Sequence, residues 1–272
     1  MSQSHDRVAV CIWNAVPCRG ERLDATGSKD GRPGSDVMQR LWFQTSSMKK
    51  PDLKLVLLGD MNVGKTSLLH RYMERRFQDT VSTVGGAFYL KQWGPYNISI
   101  WDTAGREQFH GLGSMYCRAA SAVILTYDVS NMQSLLELED RFLGLTDTAN
   151  DDCIFAVVGN KIDLTDDYDS ESDMEGERPR TSSKIRKQVD LEDAIALYKR
   201  IMKYKMLDEN VVPAAEKMCF ETSAKTGYNV DGLFEGVFNM VVPLIVKKKA
   251  SGHDETVNLA QSKPEKSKNR CC

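Results

Sequence analysis

No apolar run in this chain is long enough to cross a bilayer, which takes about 20 consecutive apolar residues as a helix, so a helical span is excluded. The apolar stretch from Val8 to Val16 is short and broken by Asn14, and it does not read as a signal peptide. A dominant charge is missing as well. Lys and Arg number 36 against 38 Asp and Glu, and a formal net charge of −2 gives no bulk attraction to nucleic acid. There is no disulfide framework: the seven cysteines (Cys11, Cys18, Cys117, Cys153, Cys219, Cys271 and Cys272) are odd in number and scattered. No cysteine pair has a zinc-ligand spacing supported by neighbouring histidines. Cys117, Cys153 and Cys219 lie in or beside apolar runs and read as buried free thiols. Internal repeats are absent too.

The most informative stretch present is Gly59-Asp60-Met61-Asn62-Val63-Gly64-Lys65-Thr66-Ser67, a phosphate-loop pattern. Its glycines let the backbone turn tightly, so that successive N–H groups point at phosphate oxygens. Lys65 brings a positive charge to the β and γ phosphates, and the Thr66 hydroxyl is a magnesium ligand in such a loop. The apolar run Leu53–Leu58 predicts a buried strand before the loop. Leu68, Leu69 and Tyr72 predict a helix after it, whose dipole favours the same anion.

With 272 residues and 41% hydrophobic content the chain suffices for one α/β domain with extensions. Residues 1–50 lack periodicity and mix Gly and Pro with polar residues, which predicts a disordered N-terminal extension. Met48-Lys49-Lys50-Pro51 would itself serve as a start of translation, making the first 47 residues an alternative leader. Residues 51–246 form the expected domain. Apolar runs at Leu53–Leu58, Ile98–Trp101, Ala122–Tyr127, Ile154–Val158 and Met218–Phe220 are mostly continuous, as in parallel strands covered on both faces. Phe88–Trp93 adds a strand that Gly94-Pro95 turns back in an antiparallel hairpin. The fold class is therefore α/β: a doubly wound, mostly parallel six-stranded sheet with one antiparallel edge strand. Residues 165–189 run from acidic to basic with few apolar residues, which predicts an exposed insert. Residues 247–272 form a flexible, Lys-rich tail.

Ligands of such sheets bind beyond the carboxyl ends of the strands. Four motifs fall there: the phosphate loop, Asp102-Thr103-Ala104-Gly105, Asn160-Lys161-Ile162-Asp163, and Thr222-Ser223-Ala224-Lys225. Asp102 can hold magnesium through water, and the Gly105 N–H can sense a γ-phosphate. Asp163 can accept two hydrogen bonds from N1–H and the 2-amino group of guanine, a donor pair that adenine lacks. The Ala224 N–H can meet guanine O6. A phosphate-loop ATPase or kinase would require Asn160, Lys161 and Asp163 to be incidental.

With these four motifs in this order, the chain resembles the Rab branch of the Ras-like small GTPases from Asp52 to about Val246. Tyr127-Asp128, Ile100-Trp101-Asp102 and the double-cysteine end carry the same resemblance. It implies binding of GTP and GDP with Mg2+, and two conformations read by partners. Those partners are a guanine-nucleotide exchange factor, a GTPase-activating protein, an escort protein, a dissociation inhibitor, and effectors that bind switches I and II. It makes Thr83 the switch I threonine, in contact with magnesium and the γ-phosphate in the GTP state, and it implies a monomer. Cys271 and Cys272 match the ending on which Rab proteins receive two geranylgeranyl groups, a stable anchor where one chain is marginal. Basic tail residues add attraction to anionic lipid. The resemblance points to the cytoplasmic face of Golgi, endosomal or phagosomal membranes, with a cytosolic pool, and to vesicle traffic.

The chain departs from the family in four places. Val84-Gly85-Gly86-Ala87-Phe88 lacks the acidic residue usual in the Rab pattern, so its choice of partners should differ from that of common Rabs. The Gln that orients the attacking water is replaced by Arg106, with Gln108 two residues on. Arg cannot accept a hydrogen bond from water, which predicts slow hydrolysis or, in the alternative, a GTP-bound interaction module with negligible turnover. Met61 and Asn62 stand where small residues are common. Switch I is short, with only Gln78 to Ser82 between Phe77 and Thr83, leaving Phe77 as the candidate to cover the guanine ring.

Overall fold

A computed structural model describes residues 11–12, 51–105, 110–166, 184–207 and 212–250. The expectations for the rest of the N-terminal extension, for Arg106 and Gln108, for the middle of the charged insert and for Cys271 and Cys272 lie outside the described residues.

The central strand β2 (Leu53–Leu58) is buried at every position except Lys54, which is intermediate. Its unbroken apolar run is what burial on both faces demands. To one side it pairs in parallel with β4 (Tyr96–Thr103), and to the other with β5 (Ala122–Asp128). Beyond β5 lie β6 (Ile154–Asn160) and the short β7 (Cys219–Glu221), both parallel. At the opposite flank β3 (Gly86–Trp93) runs antiparallel to β4, with Trp93 opposite Tyr96 across the Gly94-Pro95 turn. These are the six strands anticipated. A two-residue strand, β1 (Cys11–Ile12), pairs antiparallel with Ala87 and Phe88, so β3 is not the outermost strand.

The helices are α1 (Lys65–Glu74), α2 (His110–Cys117), α3 (Met132–Glu137), α4 (Leu191–Tyr204), α5 (Ala215–Met218) and α6 (Val230–Ala250). Asn131 starts α3 by accepting the Gln133 N–H at 3.1 Å, which satisfies one of the donors left free at a helix start. The helix then runs on through a π-helical turn, Leu138–Phe142, and a 3-10 segment, Leu143–Thr148. α6 continues past the expected domain end at residue 246. Among the described residues no helix is long and apolar enough to cross a membrane.

An aromatic contact ties α1 to α6. The Tyr72 and Phe234 rings stack at 4.1 Å, and Phe238 meets Tyr72 and Trp93 edge-on. Glu235 crowns the contact, accepting the Trp93 indole N–H at 2.6 Å and the Tyr72 hydroxyl at 3.3 Å. Cys117, Cys153 and Cys219 are buried free thiols, as expected, and burial pushes Cys117 and Cys219 up to about 12, so neither is a thiolate at neutral pH.

The ends of the charged insert need correction. Thr165 and Val189 are both fully buried. Thr165 pairs with Ile185 in an isolated parallel bridge, and the Val189 N–H donates to Val129 O at 3.2 Å. Both ends of the insert are therefore tied down, because backbone groups that reach the core must be paired there. Phe234→Ala removes a fully buried ring and is expected to lower the unfolding free energy by about 3–5 kcal/mol, read by urea titration of the folded domain.

Candidate functional site

The phosphate loop links β2 to α1. Gly64 has φ +98°, and a Cβ there would stand 2.3 Å from Asn160 Nδ2, so no side chain fits. Asn62 has φ +63°, a left-handed conformation that Asn tolerates better than most residues. This gives a local reason for an Asn where small residues are common. Lys65 is only 6% exposed and lies across the loop, donating to Gly59 O and Asp60 O at 2.7 Å each. Burial pulls its pKa down to about 8, opposed in part by the carboxylates of Asp102 and Asp60. The N-terminus of α1, with its positive dipole end, opens into the same cleft.

Three oxygens meet beside it. Thr66 Oγ1 lies 3.0 Å from Thr83 Oγ1 and donates to Asp102 Oδ2 at 2.7 Å, and Thr83 Oγ1 donates to the same oxygen at 3.2 Å. Magnesium takes oxygen ligands at about 2.0–2.1 Å in an octahedron, whose edge is about 2.9 Å. The spacing of the two hydroxyls thus suits adjacent ligand positions. Asp102 is fully buried, and its Oδ1 has no hydrogen-bond partner among the described residues. Burial raises its pKa, against the Thr66 hydrogen bond and the Lys65 charge, so an added cation would favour the carboxylate. The donor set therefore fits magnesium.

At the other end of the cleft the Ser223 hydroxyl donates to Asp163 Oδ1 at 2.6 Å. Lys161 has φ +70° and pairs with Asp128 Oδ2 at 2.7 Å. Asn160 joins the two ends: its Nδ2 donates to Val63 O at 2.9 Å, and its Oδ1 accepts the Ala224 N–H at 3.1 Å. Between these ends lies one cavity of about 260 Å³. Met61, Asn62, Gly64, Lys65, Thr66, Ser67, Thr83, Gly105, Asn160, Lys161, Asp163, Ala224 and Lys225 all line it. Gly59, Asp60, Val63, Asp102 and Ser223 are not lining residues; each contacts or adjoins one that is. Phe77 also lines the cavity and is 44% exposed. Gly105 touches the phosphate loop directly, since a Cβ there would lie 2.3 Å from Met61 N.

Two features were not read from the sequence. Arg141, at the π-helical turn, pairs with Asp60 Oδ1 at 3.4 Å and Glu137 Oε2 at 2.7 Å, and so reaches the phosphate loop. Its spacing from Asp60 gave no signal. The second is a ring cluster: Phe88 meets Trp101 at 5.1 Å, and Trp101 meets Tyr116 at 5.7 Å. Phe88 and Trp101 are opposite one another in the hairpin, a pairing that counting back from the Gly94-Pro95 turn would have found. Asn160→Ala strands the buried Val63 carbonyl and Ala224 N–H, and is expected to lower stability by about 1–3 kcal/mol in urea unfolding without added ligand.

The comparisons with known proteins agree with this geometry. The family model described as "Ras family" matches residues 54–242. The chain is 67% identical over 233 residues to the Ras-related protein Rab-20 of Mus musculus, covering 83% of this chain and 100% of that protein. It is 67% identical over 237 residues to Rab-20 of Homo sapiens, with the same coverage of 83% and 100%. To Rab-31 of Homo sapiens it is 29% identical over 226 residues, covering 81% of this chain and 97% of that protein. A phosphate loop, a hydroxyl–carboxylate cluster and an Asn-Lys-x-Asp loop on one sheet edge, in a sequence of this likeness, place the chain in the Ras family as a Rab-type small GTPase.

Proposed function

We propose that the chain is a membrane-anchored guanine-nucleotide switch that regulates vesicle traffic and hydrolyses GTP slowly. The observation that carries the reading is the single cavity with Lys65, Thr66 and Thr83 at one end and Lys161, Asp163 and Ala224 at the other. A nucleoside triphosphate laid along it puts its phosphates against the loop amides and Lys65. Its base then meets the Asp163 carboxylate, and guanine O6 would share the Ala224 N–H with Asn160 Oδ1, which accepts it at 3.1 Å. Thr66 and Thr83 would hold magnesium directly and Asp102 through water, and the ion would neutralise phosphate charge. Thr83 keeps switch I in place only while the γ-phosphate is present, and Gly105 offers the corresponding amide from switch II.

Slow turnover follows from Arg106, which cannot orient water by accepting its hydrogen bond. Met61 supports it, being a bulky side chain half exposed on the cavity wall where small residues are common in the family. The second reading, a GTP-bound interaction module with negligible turnover, is favoured by the same Arg106. Partners that distinguish the two states would meet the Phe88–Trp101–Tyr116 rings, flanked by Val84 and Met115, each more than half exposed. Exchange factor, activating protein, escort protein, dissociation inhibitor and effectors are the expected classes. Geranylgeranyl groups on Cys271 and Cys272 supply the anchor to Golgi, endosomal or phagosomal membrane.

Mass analysis of the nucleotide retained after gentle purification tests the reading. A guanine nucleotide rich in GTP is expected, and a preparation without guanine nucleotide rejects it. In single-turnover hydrolysis, Arg106→Gln is expected to raise the rate about ten-fold, as one restored hydrogen bond to the attacking water would. A natural sequence that already hydrolyses rapidly rules out slow turnover.

Lys65 adds a pH dependence. Its pKa of about 8 without nucleotide rises when phosphates surround it, so binding takes up a proton above that pH. Affinity for GDP is fully present below about pH 8 and falls as pH rises through the free-state pKa, by up to about ten-fold per pH unit. Equilibrium competition with a fluorescent GDP analogue from about pH 6.5 to about pH 9 measures it; a flat profile excludes the buried ammonium as the source.

A further inference from the structure

We infer that Arg71, on the last turn of α1, is a positioning residue for base recognition, holding the Ser223–Lys225 loop so that Asp163 is aimed at the base. The guanidinium donates through Nε to Ala224 O at 2.8 Å and through Nη2 to Lys225 O. Its Nη1 donates to Arg75 O at 3.3 Å, which fixes it to the end of its own helix. Arg71 thus holds two successive carbonyls of a loop 153 and 154 residues further along the chain.

The consequence follows from peptide planarity. A carbonyl and the next residue's N–H belong to one rigid unit and point in opposite directions. Fixing Ala224 O therefore fixes the Ala224–Lys225 peptide and with it the Lys225 N–H. Fixing Lys225 O orients the Thr226 N–H, which donates to Ser223 Oγ at 3.0 Å. Ser223 Oγ then has its proton free to donate to Asp163 Oδ1 at 2.6 Å. Arg71, the Lys225–Thr226 peptide, Ser223 and Asp163 form one directed chain of hydrogen bonds. It ends on the carboxylate that faces the base.

The same helix begins at the phosphates. From Lys65 to Arg71 is six residues, a rise of about 9 Å along α1. α1 therefore sets the distance between the phosphate end and the base end of the cavity, with Lys65 at one end of this ruler and Arg71 at the other. Asn160 holds the loop from the opposite side through the Ala224 N–H. The loop is gripped on its amide face by Asn160 and on its carbonyl face by Arg71.

The inference rests on the guanine-nucleotide reading above, and its test separates the two. Dissociation constants for GDP and for inosine diphosphate, which lacks the 2-amino group, are measured by competition on the full chain. The natural chain prefers GDP. Arg71→Ala is expected to shrink that preference roughly three- to ten-fold, because Asp163 loses the alignment needed for two hydrogen bonds, and Arg71→Lys to restore part of it. In a Ser223→Ala background, where the chain is already cut, Arg71→Ala leaves the ratio unchanged. Equal weakening of both nucleotides by Arg71→Ala, or a further change of ratio in the Ser223→Ala background, overturns the inference and leaves Arg71 a staple between α1 and the loop. If Arg71→Ala does not fold, Arg71→Lys carries the same comparison, and an unchanged ratio there overturns the inference. A natural chain that binds neither nucleotide instead overturns the proposed function.

Discussion

The site depends on one amide side chain. Asn160 ends β6 and spans the gap between the phosphate loop and the Ser223–Lys225 loop, donating a hydrogen bond from Nδ2 to Val63 O and accepting one at Oδ1 from the Ala224 N–H. Both bonds are buried, where an unmade partner is costly and a made one is strong. The bridge is possible only because Gly64 lets the phosphate loop come so close. Without it, two loops from strands on opposite sides of β5 would lose their direct side-chain bridge, and the Ser223–Lys225 loop would be held from the Arg71 side alone.

The sheet and the site obey opposite rules. β2, β5 and β6 are apolar on both faces, and their register brings Leu58, Asp128 and Asn160 out at one edge. Past that edge, polar and charged groups are buried: Lys65, Asp102 and Asn160 are each at most 6% exposed. Burial disfavours the ionised forms of both Lys65 and Asp102, so each charge carries a desolvation penalty. An anion beside Lys65 and a cation beside Asp102 each relieve part of it. The apolar packing of Tyr72, Phe234 and Phe238 beneath α1 is what holds these groups in place meanwhile.

Much of this was legible in the sequence because the signals were local. Leu53–Leu58 is a strand with the bounds its apolar run implied, and the Gly94-Pro95 turn sets the hairpin. β6 and β4 run further than their apolar runs, since Gly159, Asn160, Asp102 and Thr103 are polar or small yet still paired in the ladder. The motif residues of all four loops gather in or behind one cavity because each follows its own strand. What was hidden was long-range or irregular. Arg141 reaches Asp60 through a π-helical turn that no apolar period signals. Thr165 and Val189 looked like part of a polar loop, yet both are buried, with their backbones paired to Ile185 and Val129. The grip of Arg71 on Lys225 joins distant segments, and charge alone could not have marked it.

Where Gly105 meets the phosphate loop, main chain lies against main chain with no rotamer between them. Side chains absorb small displacements by shifting their torsions; a bare backbone contact has no such slack. A movement of a fraction of an ångström at Asp60 or Met61 is therefore handed on undamped to Gly105. The end of β4 and the phosphate loop are in this way one mechanical linkage at that point.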